Sequence, residues 1–480
     1  MNASLLILEY AVVGIALAIL LLDLWMPAAG KAKLGYLAAF ALTGVLLSSF
    51  VMHAETAQYA FNQSYVLDGL SLFFKRFFLL AAILVLLISV EFADRMPTGI
   101  SEFYALILFA LTGMMLAASA NDFAMVFVSL ELITVTFYIL TSFQRNRTRS
   151  LESGVKYLIL GALSSAFMVY GIALIFGAAG TMKFTAISTA SFALAGKPLF
   201  LLGLLLTFSG LAFKVAAFPF QIWAPDVYQG APVPSTAFLA VGSKAAGFVL
   251  LLRVFMGTVP NITAQWTPLL ILVAGITILY GNLCAIPQRN LKRLLGYSSI
   301  GNAGYLLLGL AASNQAGASA ILYYLGGYLF SVIAAFAVIS VVSRETEDED
   351  ISVVAGLHRR SPLLALALAL AFISLAGIPP LAGFFGKFLL LKSIVQNVGQ
   401  PGVALLLGIA LFGIVVSFYY YLGVVRAIYW SKTSAELSPI IVPTPIRLVL
   451  YTCIAGIVYL GCFPNSPLTT ATRAVLTLRP

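Results

Sequence analysis

Residues 208–244 read FSGLAFKVAAFPFQIWAPDVYQGAPVPSTAFLAVGSK. The stretch sets Lys214 in an apolar run and stops that run at Pro219. It turns through Pro225, Pro232 and Pro234 and sets Lys244 in the next apolar run. A lysine near the centre of a lipid-spanning helix costs about 2.5–3.5 kcal/mol on insertion scales. Two of them, flanking an interrupted helix, point to a membrane path for protons or ions. The competing reading is a lysine that snorkels from a helix end to the interface.

The chain around this stretch has 480 residues, of which 61% are hydrophobic and 9% charged. A soluble domain carries about 25% charged residues, so the composition predicts an all-α polytopic membrane protein. The formal charge of +10 is spread over short loops between apolar runs. It therefore sets topology and does not predict a nucleic-acid partner. Cys284, Cys453 and Cys462 share no metal or redox spacing. His53 and His358 both fall in loops. There is no Walker loop, no strand–GxGxxG–helix unit and no CxxC. The expectation is that this chain holds no metal, flavin, nucleotide or iron–sulfur cluster.

Apolar runs of spanning length predict about fourteen transmembrane helices. The first, Ala3 to Met26, has no basic residue before it and reads as a retained helix rather than a signal peptide. Basic residues concentrate in alternate loops: Lys31 and Lys33; Arg95; Arg145, Arg147 and Arg149; Arg289, Lys292 and Arg293; Arg344, Arg359 and Arg360; Lys432 and Arg447. That asymmetry predicts these loops in the cytoplasm and both termini on the outer side. The acidic run ETEDED at 345–350 reads as a solvated cytoplasmic loop.

A weak internal echo accompanies the breaks. Gly210 to Lys214 in span 7 resembles Gly383 to Lys387 in span 12, and span 12 is interrupted at Pro379 and Pro380. Two interrupted helices at matching positions mark a transporter repeat with its site at the break. Spans 4–8 and 9–13 are then two five-helix repeats, inverted because each holds an odd number of helices. The whole chain, 1–480, reads as one integral membrane domain. It divides into spans 1–3 (1–100), repeat one (101–258), repeat two (259–430) and a C-terminal span 14 (431–480).

Five ionisable residues stand inside predicted spans: Glu131, Lys156, Lys214, Lys244 and Lys387. At about 3 kcal/mol each they must be paired, hydrated or able to lose charge. Glu131 is the obvious acidic partner, and a direct or water-bridged pair with Lys214 is expected. A lysine held between desolvation and a nearby carboxylate can load and release a proton near neutral pH. Each site also has a structural reading. Lys156 reads alternatively as snorkelling, Glu131 as a helix–helix tie, and Lys387 as a cap on a broken helix. Arg253 and Lys292 sit nearer helix ends, where an interfacial position is expected.

The chain resembles the antiporter-like subunits of respiratory complex I, and among them the subunit N family of bacterial NADH–quinone oxidoreductase, counterpart of mitochondrial and chloroplast subunit 2. The motifs that carry the resemblance are FKVAAFPFQIWAPDVYQGAPVP (213–234), LKRLLGYSSIGNAGYLLLGL (291–310) and SLAGIPPLAGFFGKF (374–388). It implies a proton-translocating, non-redox subunit of a translocase in the bacterial inner membrane, partnered by other membrane subunits and the lipid bilayer. NADH, FMN, iron–sulfur clusters and quinone would belong to other subunits. It implies that Glu131 tunes Lys214, that Lys244 is the central relay, that Lys387 is the terminal relay and that Lys156 lies on the entry side. Such relatives often carry histidine where this chain has Gln221 and Asn302, so any proton step there must run through water or be absent. The alternative within reach of the same motifs is a subunit of a cation–proton antiporter or membrane-bound hydrogenase.

Overall fold

The computed structural model describes residues 3–52, 56–96, 98–346, 349–431 and 438–478. His53, Lys432 and residues 347–348 of the acidic run lie outside the described residues.

The order begins with α1 (Ile7–Asp23), α2 (Leu34–Val51), α3 (Gly69–Phe92), α4 (Ile100–Ala118) and α5 (Phe123–Thr141). It continues with α6 (Thr148–Ala179), α7 (Phe184–Leu194), α8 (Pro198–Val215), α9 (Trp223–Gly230), α10 (Val233–Phe238) and α11 (Lys244–Leu251). Then come α12 (Thr263–Ala285), α13 (Leu291–Ala311), α14 (Gln315–Thr346) and α15 (Leu357–Arg360). The chain ends with α16 (Pro362–Ala376), α17 (Ala382–Val395), α18 (Val403–Trp430), α19 (Thr444–Cys462) and α20 (Asn465–Leu476). Among the described residues, thirteen helical stretches are long and apolar enough to cross a membrane. The half-helices α16 and α17 supply one interrupted crossing more, giving the fourteen expected. The pieces α10 and α11 belong to a single span, Val233–Thr258. Within it Leu239–Ser243 and Leu252–Thr258 are π-helical.

Three elements were not expected. A two-stranded hairpin pairs Gln58–Ala60 with Tyr65–Leu67. The loop after α6 folds into α7, and a helix, α20, follows the last span.

The helix ends explain the breaks. Asp68 starts α3 by accepting from Ser71 N–H at 2.8 Å, within a capping box. Asp122 starts α5 by accepting from Met125 N–H at 2.7 Å, and Asn290 starts α13 by accepting from Arg293 N–H at 2.9 Å. Asp122 and Asn290 also form backbone bridges to the chain beyond the next helix, at Lys183 and Asp350. The helices that follow these caps, α6 and α14, are each 32 residues long. Next, α8 and α16 each stop in a left-handed residue, Ala216 (φ 58°) and Gly377 (φ 92°). Each stop is followed by a cis-proline, Pro219 or Pro380.

This register corrects the sequence echo. Counted from the left-handed stops Ala216 and Gly377, Lys387 falls opposite Asp226 and Lys214 opposite Leu375. Lys214 lies before its break and Lys387 after its own. The likeness of GLAFK to GFFGK therefore does not mark equivalent positions.

Candidate functional site

Lys214, Lys244 and Lys387 are 5%, 2% and 3% exposed. Among the described residues, no carboxylate makes an ion pair with any of them. Each is held instead by neutral oxygens and a tyrosine ring.

Lys214, in the last turn of α8, donates from Nζ to Thr134 Oγ1 of α5. Its ammonium lies 5.8 Å from the Tyr157 ring centroid, inside cation–π range. The stopped helix places it here: Trp223 of α9 folds back and donates to the Phe213 carbonyl at 3.0 Å. The end of α8 packs against α11, where a Cβ on Gly247 would stand 3.3 Å from Lys214 Cβ. That contact is part of why residue 247 is small.

Lys244 follows the π-helical turn Leu239–Ser243. Such turns recur at functional sites because they re-aim a side chain within a continuous helix. Its Nζ donates to the carbonyl and hydroxyl of Ser299 in α13. The Ser299 hydroxyl also meets Tyr228 Oη at 2.9 Å and Tyr328 Oη at 3.0 Å, and the Tyr328 ring lies 5.7 Å from the ammonium.

Lys387 sits on α17 and reaches back across the break. Its Nζ donates to Leu375 O at 2.8 Å and Ala376 O at 3.0 Å. These carbonyls end α16, where the helix leaves its acceptors unpaired and its dipole is negative. The Tyr305 ring lies 5.1 Å away.

Hydroxyls and amides fill the space between Lys244 and Lys387. Tyr324 stacks on Tyr328 with centroids 6.3 Å apart and donates to Asn302 Oδ1 at 2.7 Å. Asn302 donates to Ser298 Oγ at 3.4 Å and Tyr421 Oη at 3.5 Å. All are buried.

With that geometry in hand, the comparisons decide the family. Residues 120–415 match the family described as NADH:quinone oxidoreductase/Mrp antiporter, TM. The NADH-quinone oxidoreductase subunit N of Desulforamulus reducens is 40% identical over 470 residues, covering 97% of this chain and 96% of its own length. The chain belongs to the subunit N family of NADH-quinone oxidoreductases. It is thus a multi-pass, antiporter-like membrane subunit. A chain of Thermus thermophilus respiratory complex I, solved with bound aureothin, matches with TM-score 0.81 and 34% identity, covering 96% of this chain and 99% of that one. A chain of an archaeal membrane-bound sulfane sulfur reductase matches with TM-score 0.87 at 24% identity, covering 99% and 98%. The latter shows the shared fold alone.

Against this subunit N fold, several sequence expectations change. Glu131 and Lys214 make no direct ion pair. Glu131 is half-buried and accepts from Ser165 Oγ of α6 at 2.5 Å. Lys214 reaches Thr134 instead, which lies close to one turn further along α5. Lys156 is not a buried charge. Its side chain is 42% exposed and pairs with Glu152 at 2.7 Å and Asp226 at 2.8 Å. Asp226 also takes Arg293 at 2.5 Å. Arg253 and Lys292 do not reach out to solvent from their helix ends. Arg253 is buried against Asp68 at 2.8 Å, and Lys292 against Glu349 at 2.9 Å. Each helix end is covered by other chain segments, which a loop count does not see.

Two features escaped the sequence reading. One is the tyrosine and serine network around Lys244. Its signal was the polar set Ser298, Ser299 and Asn302 inside an otherwise apolar helix. The other is a buried pair in the N-terminal helices: Lys75 and Glu9 meet at 2.9 Å, with side chains 0% and 3% exposed. Tyr65 Oη accepts from Lys75 at 2.5 Å and donates to Glu9 Oε1 at 3.1 Å.

Proposed function

We propose that this chain is a proton-translocating, non-redox membrane-arm subunit of an NADH-quinone oxidoreductase, working with the other membrane subunits of that complex. One observation carries the reading: three buried lysines, each beside a helix break or a π-turn, none paired with a carboxylate among the described residues. Desolvation opposes the charge on a lysine so placed, while oxygen acceptors and a π-face favour it. A proton would pass from the Lys156–Asp226–Arg293 cluster toward Lys214, then to Lys244, and along the hydroxyls to Lys387. For the step from Lys214 to Lys244, Tyr157 beside Lys214 and Ser243 next to Lys244 offer buried hydroxyls that have no hydrogen-bond partner among the described residues. That step needs a water or a side-chain movement. The redox groups, FMN, iron–sulfur clusters and quinone, fall to other subunits on this reading. The matched caps, helix lengths and breaks support residues 101–258 and 259–430 as two repeats. The basic loops support a bacterial cytoplasmic membrane with both termini outside.

The rival is a scaffold whose buried charges only order the helices. The cap that Lys387 makes on α16 favours it. Lys244 separates the two readings. Lys244→Met removes charge and titration while keeping a long side chain; Lys244→Arg keeps the charge but does not deprotonate. A relay expects both variants to assemble and both to lose proton pumping in vesicles, normalised to assembled complex. Pumping at the wild-type rate in both defeats the relay. A scaffold expects arginine to be tolerated and methionine to impair assembly.

A further inference from the structure

A groove of about 770 Å³ opens between α2, α3, α14 and α20. Its walls are apolar, with Leu72, Phe77, Leu80, Leu329 and Phe330 among them. Among the described residues, the charged ones lining it are Arg76 and Arg473. Arg76 is half-buried. Its guanidinium donates to the Ser49 carbonyl at 2.7 Å and the Met52 carbonyl at 3.0 Å, and it lies 4.7 Å from the Phe50 ring. Its Nε is buried without a hydrogen-bond partner. Arg473 is exposed on α20.

We propose that this groove binds one anionic phospholipid, its phosphate between Arg76 and Arg473 and its acyl chains along α3 and α14. Two cations lining an apolar groove, with no carboxylate among its described lining residues, call for an anion with a long apolar tail. Arginine forks match phosphate oxygens in a bidentate manner. Basic pockets between membrane helices hold lipid headgroups by the same chemistry. A neighbouring helix is a poorer occupant, since it would desolvate two guanidinium groups unless it brought its own acid. The volume lies within the range of about 300–1,000 Å³ typical of ligand sites. The lipid would join the N-terminal helices to α14 and α20, elements far apart in sequence.

Gly326 offers a clean way to fill the groove, which it lines. A Cβ built there meets only Leu460 Cδ1, at 3.7 Å. Gly326→Leu should therefore occupy the space without moving backbone. The test uses the whole purified complex and two photoactivatable probes, phosphatidylglycerol and phosphatidylcholine, with peptide mapping of the crosslinks. Phosphatidylglycerol is expected to label α3 and α14 peptides, and phosphatidylcholine to label them weakly. Arg473→Gln, at an exposed position, should cut labelling about tenfold, the factor expected for one lost charge-assisted hydrogen bond. Gly326→Leu should abolish it, and inorganic phosphate should not compete, since it lacks the chains. Equal labelling by both probes, labelling unchanged in both variants, competition by inorganic phosphate, or no labelling because another subunit fills the groove would each overturn the proposal.

Discussion

Burying a lysine without a carboxylate is a choice with consequences. At Lys214, Lys244 and Lys387 the chain supplies hydroxyls, carbonyls and tyrosine faces instead. A carboxylate partner would favour the charged amine more strongly than such neutral acceptors do. The pair Lys75–Glu9 shows the opposite arrangement. There both charges are buried and satisfied by each other, and the function proposed above makes no use of them. Breaking such a pair by removing one partner costs about 3–5 kcal/mol, because the other charge stays buried alone. Glu9→Gln should therefore lower the thermal stability of the assembled complex by that order, while the double variant Glu9→Gln with Lys75→Met should recover most of it. A single variant with wild-type unfolding temperature would show that the site is hydrated and the pair weak.

At the scale of elements, the breaks are built to close tolerance. In span 12 the half-helices α16 and α17 cross where Gly383 meets Ser374. A Cβ on residue 383 would lie 1.8 Å from the Ser374 carbonyl oxygen, far inside any real contact. Gly383→Ala must push the halves apart and draw Lys387 off Leu375 and Ala376. We expect loss of assembled complex, or assembly with pumping abolished. Gly14→Ala in α1 is the control, since nothing lies within 4 Å of its Cβ and alanine favours a helix by about 1 kcal/mol over glycine. Blue-native gels of membranes carrying each variant read the difference directly. Equal assembly and equal pumping in both would mean that the break tolerates a shift of this size.

For the whole molecule, α6 provides a ruler. At 1.5 Å per residue its 32 residues span about 48 Å, more than the roughly 30 Å hydrocarbon core. Arg147 caps its start. Asn261 donates to Ser191 Oγ of α7 at 3.1 Å, past its far end. Single cysteines at 147 and 261 should thus label from opposite faces, 147 from the cytoplasm. Labelling of both from one face would defeat the orientation drawn from the basic loops.

The architecture was legible in the sequence because it rests on local rules. Apolar length gives the spans, proline and glycine give the breaks at 219 and 377–380, and the cost of a buried amine marks Lys214, Lys244 and Lys387 before any fold is known. Family membership was legible too, since long motifs carry it. What the tertiary structure decided is which group each charge meets. Lys214 takes Thr134 rather than Glu131 because the two are offset along α5. Lys156 finds Asp226 from the far side of the broken helix. Arg253 and Lys75 are buried because Asp68 and Glu9 arrive from helices remote in sequence. Partner choice depends on rotation and offset between packed helices, and no window of sequence contains either.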